Sequence, residues 1–105
     1  MITLLNSPIL TTFGKFEYRQ IDLDQARLLV QTQPWQSAIG HASTAQVISE
    51  LLGIECLQNR VQISHAVGEQ ILVFAPATRL PEGVVFTREE MRRFQYSWGL
   101  LDRLE

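Results

Sequence analysis

Residues 37–45, reading SAIGHASTA, constrain the fold of this chain more than any other stretch: an apolar segment ends in Gly40 and a helical pattern starts at His41. A helix that begins there leaves its first backbone N–H groups without intrahelical partners, beside an imidazole. Such a corner suits an anion, and His41 can give or take a proton near neutral pH. The remaining chain supplies the walls.

Upstream, residues 1–6 are a short apolar run bounded by Ser7 and Pro8, which predicts a buried strand running into a polar loop. Residues 15–21 alternate Phe16, Tyr18 and Gln20 against Lys15, Glu17 and Arg19, the pattern of a half-buried strand. Asp22 precedes Gln25 by three positions, a capping-box spacing, and opens a helix with Ala26, Leu29 and Val30 on one face that ends before Pro34. Residues 35–39 read as a second inner strand broken by Gly40. Ala45, Ile48, Leu51 and Leu52 then fall at helical spacing over residues 41–52, with Gly53 as the stop.

Downstream, residues 60–64 place Val61 and Ile63 on one face of a strand, and Val67, Gly68 and Glu69 turn it into a strongly apolar strand over residues 70–75, a β-hairpin. Pro76 ends that ladder or marks an edge. Residues 78–83, TRLPEG, form a loop, and Thr87 with Glu90 repeats the capping-box spacing for a short helix reaching about Phe94. Leu100, Leu101 and Leu104 make the tail a last strand or a segment that packs across a partner. Strands alternating with helices predict a single compact α/β domain over residues 1–105, its mixed β-sheet flanked by helices.

The chain has 105 residues, 46% of them hydrophobic and 19% charged, which suits one domain with one core. No run approaches the roughly 18 apolar residues that a membrane span requires, and the N-terminus lacks the positive flank of a signal peptide. The expectation is a cytoplasmic chain with no membrane segment. Cys56, the one cysteine, permits no internal disulfide and reads as a small buried hydrophobe. A net charge of −2 argues against a general binder of duplex nucleic acid, which needs many cations, but leaves room for a compact anionic ligand.

With two histidines, one cysteine and no HxxxH or CxxC spacing, neither a metal site nor another cofactor is expected. GxGxxG, GxxxxGK[ST] and GxSxG are missing as well. What remains for chemistry is His41, Arg79 and Glu82, with Asn6 and Ser7 after the first strand. Such a set works most easily on a phosphodiester that carries its own nucleophile, as RNA does in its 2′-hydroxyl. Arg79 can stabilise charge on the phosphoryl oxygens, His41 can protonate the leaving 5′-oxygen, and Glu82 can orient either. By residue type alone, a lone histidine at a helix start is more often a cap or a surface residue, and Arg79 and Glu82 are more often a solvated pair.

The run LLNSPIL, the SAIGH segment followed by Thr44, the downstream NRVQI and the TRLPEG loop change that balance. Their order and approximate spacing resemble those of the ring nucleases that viruses use as anti-CRISPR proteins against type III systems, together with their cellular relatives, over nearly the whole chain. The resemblance implies a homodimer that binds cyclic tetra-adenylate and cuts it, without metal, to linear di-adenylate ending in a 2′,3′-cyclic phosphate. It implies that His41 is the general acid, that Arg79 and Glu82 are phosphate contact and supporting acid, and that Asn6 contacts ligand. Arg60 matches a binding or positioning residue less closely. Some relatives carry a serine near the reacting hydroxyl where this chain has Ile9, so that role falls to Ser7 or Thr11. A ring of four identical nucleotides can lie on a twofold axis, and a symmetric dimer then presents one His41 to each of two opposite phosphates. The alternatives are a sponge or sensor that holds the ring uncut, a viral nucleic-acid-binding protein, and a structural dimer without ligand.

Overall fold

The computed structural model describes residues 2–6, 13–61, 66–76 and 96–105. Among them, five strands and two helices follow in the order β1 (Ile2–Leu5), β2 (Phe16–Ile21), α1 (Leu23–Thr32), β3 (Trp35–Ser37), α2 (Ala42–Leu52), β4 (Gln70–Pro76) and β5 (Tyr96–Arg103). The strands form one sheet in the order β2-β5-β4-β1-β3. β1 runs parallel to both of its neighbours, β3 and β4, whereas β5 is antiparallel to β4 and β2. The expected α/β domain with a mixed sheet is therefore observed.

The position of β1 explains its composition. A parallel strand covered on both faces has no use for alternation, and all four of its residues are buried. Ile2, Leu4, Leu72, Phe74, Trp98 and Leu100 point to one face, where Ala26 and Val30 of α1 and Ala45, Val47, Ile48, Leu51 and Leu52 of α2 complete the main core. Burying each such large side chain contributes about 1.5–3 kcal/mol. On the opposite face Leu5, Ala38, Ile71, Val73 and Leu101 form a second buried cluster, against which Phe16 and Ala75 pack.

The helix boundaries follow from local chemistry. Asp22 accepts from the Gln25 N–H at 2.8 Å while the Gln25 side chain accepts from the Asp22 N–H at 3.0 Å, the reciprocal box that the spacing predicts. α1 stops at Thr32, with Gln33 extended ahead of Pro34. α2 ends at Gly53, whose φ of 68° is the left-handed conformation favoured by glycine. Arg27 of α1 reaches the end of α2 and donates through Nε to the Leu51 carbonyl at 2.8 Å, placing a cation at the negative end of that helix.

Two expectations need correcting. Arg60 and Val61 lie outside any strand, and the antiparallel partner of β4 is β5 instead; the rest of the expected strand over residues 60–64 falls outside the described residues. The reason is visible in the side chains of residues 58–60, which bond to backbone carbonyls of another segment, described below. β2 forms where the alternation predicts a strand, but it is not half-buried in alternation: as an edge strand it leaves all of residues 17–20 exposed. Tyr18 turns its ring onto Gly99 of β5, where a Cβ would collide with it. Pro76, without an N–H to offer, sits at the last rung of β4, beyond the point where β1 has stopped. The helix expected after Thr87 lies outside the described residues.

Candidate functional site

Because β1, β3 and β4 are parallel, their carboxyl ends meet at one end of the sheet, the usual place for a ligand in an open α/β sheet. Asn6, half-buried, follows directly on β1. The chain leaving β3 stays beside β1 for one further residue, since the Ala38 N–H donates to the Leu4 carbonyl at 2.9 Å. Ala38 and Ile39 are buried on opposite sides, Gly40 is half-buried, and His41 follows.

His41 is the N-cap of α2. Its backbone is extended at φ −129° and ψ 131°, its carbonyl accepts the first intrahelical bond from Ala45 at 3.0 Å, and its side chain makes no capping bond to the helix. An N-cap serine or aspartate would place its oxygen on the first-turn N–H groups; an imidazole here leaves that task undone. Ser43 and Thr44, in the same turn, are buried polar residues.

A strap formed by residues 56–60 holds this segment from outside. The Cys56 N–H donates to Ser49 Oγ at 2.8 Å, and its thiol donates to Ser37 Oγ at 3.6 Å. Asn59 donates twice, through its backbone N–H to the Ile39 carbonyl at 2.9 Å and through Nδ2 to the Ser37 carbonyl at 2.8 Å. Gln58 Nε2 and Arg60 Nε converge on the Gly40 carbonyl at 2.9 and 2.8 Å. Arg60 is thereby anchored one residue from His41, and among the described residues its remaining guanidinium nitrogens make no hydrogen bond. No Asp or Glu occurs in residues 37–44 or 57–61, so the segments that meet at Gly40 carry no negative side chain of their own.

Burial raises the Cys56 thiol above its ordinary value of 9.0, and the bond with Ser37 offsets this in part. It is the small buried hydrophobe that its position suggested. A cavity of about 400 Å³ opens on the other side of the strap, lined by Gln46, Glu50, Glu55 and Gln58 among others. Its two carboxylates suit a phosphate poorly, and none of Asn6, His41 and Arg60 lines it.

Of the residues singled out from sequence, Asn6, His41 and Arg60 are thus brought to one end of the sheet. Ser7, Thr11, Arg79 and Glu82 lie outside the described residues. In sequence, Ser7 and Thr11 follow β1, and Arg79 and Glu82 follow β4. Sequence reasoning overlooked Asn59 and Gln58. Asn59 stood only as the first letter of the NRVQI run, and no periodicity marked either residue.

The comparisons with known proteins agree with this architecture. The chain is similar to YddF of Bacillus subtilis (strain 168), an uncharacterized protein, with 34% identity across 99% of this chain and 98% of that one. It is 31% identical to uncharacterized protein 26 of Sulfolobus islandicus filamentous virus (isolate Iceland/Hveragerdi), across 97% of this chain and 91% of the viral one. Uncharacterized protein ORF117 of Acidianus two-tailed virus is 30% identical across 100% and 95% of the two chains. The solved structure of B116 of Sulfolobus turreted icosahedral virus (STIV) shares the fold, with a TM-score of 0.84 at 23% identity over 97% of this chain and 98% of that one. The STIV B116-like family model matches residues 2–98, and the chain belongs to that family.

Proposed function

We propose that this protein is a metal-independent ring nuclease that binds cyclic tetra-adenylate at a homodimer interface and cleaves it to linear di-adenylate with a 2′,3′-cyclic phosphate, switching off type III CRISPR signalling in the cytoplasm. The observation that carries the reading is the meeting of His41 and Arg60 at Gly40, beside the end of β1 that bears Asn6. Among the described residues, a proton donor, a cation with guanidinium nitrogens not hydrogen-bonded and a helix N-terminus lie together, and these are groups that a phosphodiester requires. Relatives in viruses of Sulfolobus and Acidianus fit a protein that acts against a host signal.

In this mechanism the ribose 2′-hydroxyl gives up its proton to solvent as its oxygen attacks the adjacent phosphorus, the bond from phosphorus to the 5′-oxygen breaks, and the 2′,3′-cyclic phosphate forms. His41 gives its proton to the departing 5′-oxygen, which leaves as a hydroxyl, and is recharged from solvent. Arg79 contacts the phosphoryl oxygens as charge builds on them, with Glu82 in support. Arg60, Asn6 and Ser7 hold the ring. Two copies related by a twofold axis supply two such sets, so opposite phosphates are cut and equal halves result.

The test is incubation of the protein with labelled cyclic adenylates of several ring sizes in the presence of a chelator, with products separated by chromatography and mass measured in solution. Linear di-adenylate from the four-membered ring and a dimeric mass support the reading. A ring that is bound but returned intact identifies a sponge, and tight, steeply salt-dependent binding of duplex DNA in place of the ring identifies a nucleic-acid binder.

A further inference from the structure

We propose that Asn59 is a positioning residue for His41. Among the described residues β3 is an edge strand, and no described strand pairs with the outward carbonyls of the segment that continues it. Asn59 takes two of them at once: its backbone N–H meets the Ile39 carbonyl at 2.9 Å, and its Nδ2 meets the Ser37 carbonyl at 2.8 Å. Carbonyls two residues apart lie on the same side of an extended chain, so one asparagine facing that side bonds both, one through its backbone N–H and one through its side-chain amide. Gln58 and Arg60, on either side, bond the next carbonyl, that of Gly40.

The consequence for His41 is geometric. Its backbone enters α2 directly from the residues before it, and its side chain makes no capping bond to the helix. Those residues are held on the inner side by the pairing of Ala38 with Leu4 and on the outer side by the strap, with Asn59 at its centre. Alanine at position 59 removes the Ser37 bond. Aspartate, nearly the same size, turns an oxygen toward that carbonyl and drives the two apart. Misplacing a catalytic group by about 1 Å can cost on the order of a hundredfold in rate.

The effect on cleavage rests on the function proposed above; the effect on the imidazole does not. The experiment therefore has two arms, applied to wild type, Asn59→Ala, Asn59→Asp and a core variant remote from the strap, Val30→Ala, which controls for lost stability. One arm follows kcat and KM with cyclic tetra-adenylate. The other records, on the protein alone, the NMR signals of the His41 ring, assigned with His41→Ala, and amide exchange over residues 39–42. Asn59→Ala and Asn59→Asp are expected to lower kcat about ten- to a hundredfold with KM within about threefold. They are also expected to shift or broaden the His41 ring signals and speed amide exchange at least about tenfold, while Val30→Ala changes none of these at a temperature where it is folded. His41 signals and exchange that stay at wild-type values in both Asn59 variants, or that change equally in Val30→Ala, overturn the proposal. Should wild type cleave no ring, the proposed function falls while the NMR arm still decides the role of Asn59.

Discussion

Two parts of the same sheet use polar groups in opposite ways. Beside β2 the polar contacts include ion pairs: Lys15 with Glu105 at 3.4 Å and Arg19 with Glu17 at 3.3 Å, all four exposed, and Arg19 with the half-buried Asp102 at 3.9 Å. At the carboxyl ends of β1, β3 and β4 they are bonds from side-chain nitrogens to backbone carbonyls, made between residues 18 to 22 apart in sequence. Exposed ion pairs contribute little and tolerate many geometries. Donors fixed on carbonyls hold a backbone in one place. The contrast is sharpest between two arginines: Arg19 is already matched by two carboxylates, whereas among the described residues Arg60 bonds through Nε alone, to the Gly40 carbonyl. The anion site proposed above is at the second.

The largest expected effect tests that difference directly. Arg60→Ala should weaken binding of cyclic tetra-adenylate about ten- to a hundredfold, the scale of about 1.5–3 kcal/mol for a hydrogen bond to a charged group, while Arg19→Ala changes it less than about twofold. Calorimetric titration of both variants decides the matter; equal losses would erase the distinction between the two regions. Next in size is the helix that carries His41. Gly53→Ala puts an L-residue at φ 68° in open space, so its cost is conformational, about 1 kcal/mol in urea melts.

A smaller effect comes from the strap's buried thiol. The folded protein holds the Cys56 proton more tightly than the unfolded chain does, so this contribution to stability is fully present below 9.0 and is lost as pH rises through the raised folded-state value. Wild type should therefore lose stability relative to Cys56→Ala only in alkaline solution, and the native thiol should react slowly with iodoacetamide at pH 7. A thiol alkylated at the rate of a free cysteine would show that the strap opens readily. The smallest effect belongs to the β2 edge: Lys15→Ala should alter stability by less than about 0.5 kcal/mol in thermal melts.

Much of the fold was legible because it is written in periodic or local patterns. The Asp22 and Gln25 box, the helical spacing of Ala45, Ile48, Leu51 and Leu52, the Gly53 stop and the alternation of β2 each depend on residues close in sequence. The placement of β5 between β2 and β4 depends instead on which strands find each other, and no run of apolar residues encodes that. For the same reason Val61 suggested a strand where the chain forms a strap: its neighbours Asn59 and Arg60 bond to carbonyls that are distant in sequence and leave no periodic mark. Within the candidate site, His41 was legible from its place between Gly40 and a helix, and Arg60 only from its resemblance to a family. Asn59 became visible once its two carbonyl partners were in view.

The account stands most directly on the role of the imidazole. Single-turnover cleavage of cyclic tetra-adenylate in a chelator, measured for wild type and His41→Ala alongside binding of the intact ring, tests it in one set of samples. The account predicts that wild type yields di-adenylate with a 2′,3′-cyclic phosphate, and that His41→Ala binds the ring as tightly but cleaves it slower by about a hundredfold or more. Equal cleavage by the two proteins, or an intact ring recovered from wild type, would contradict it.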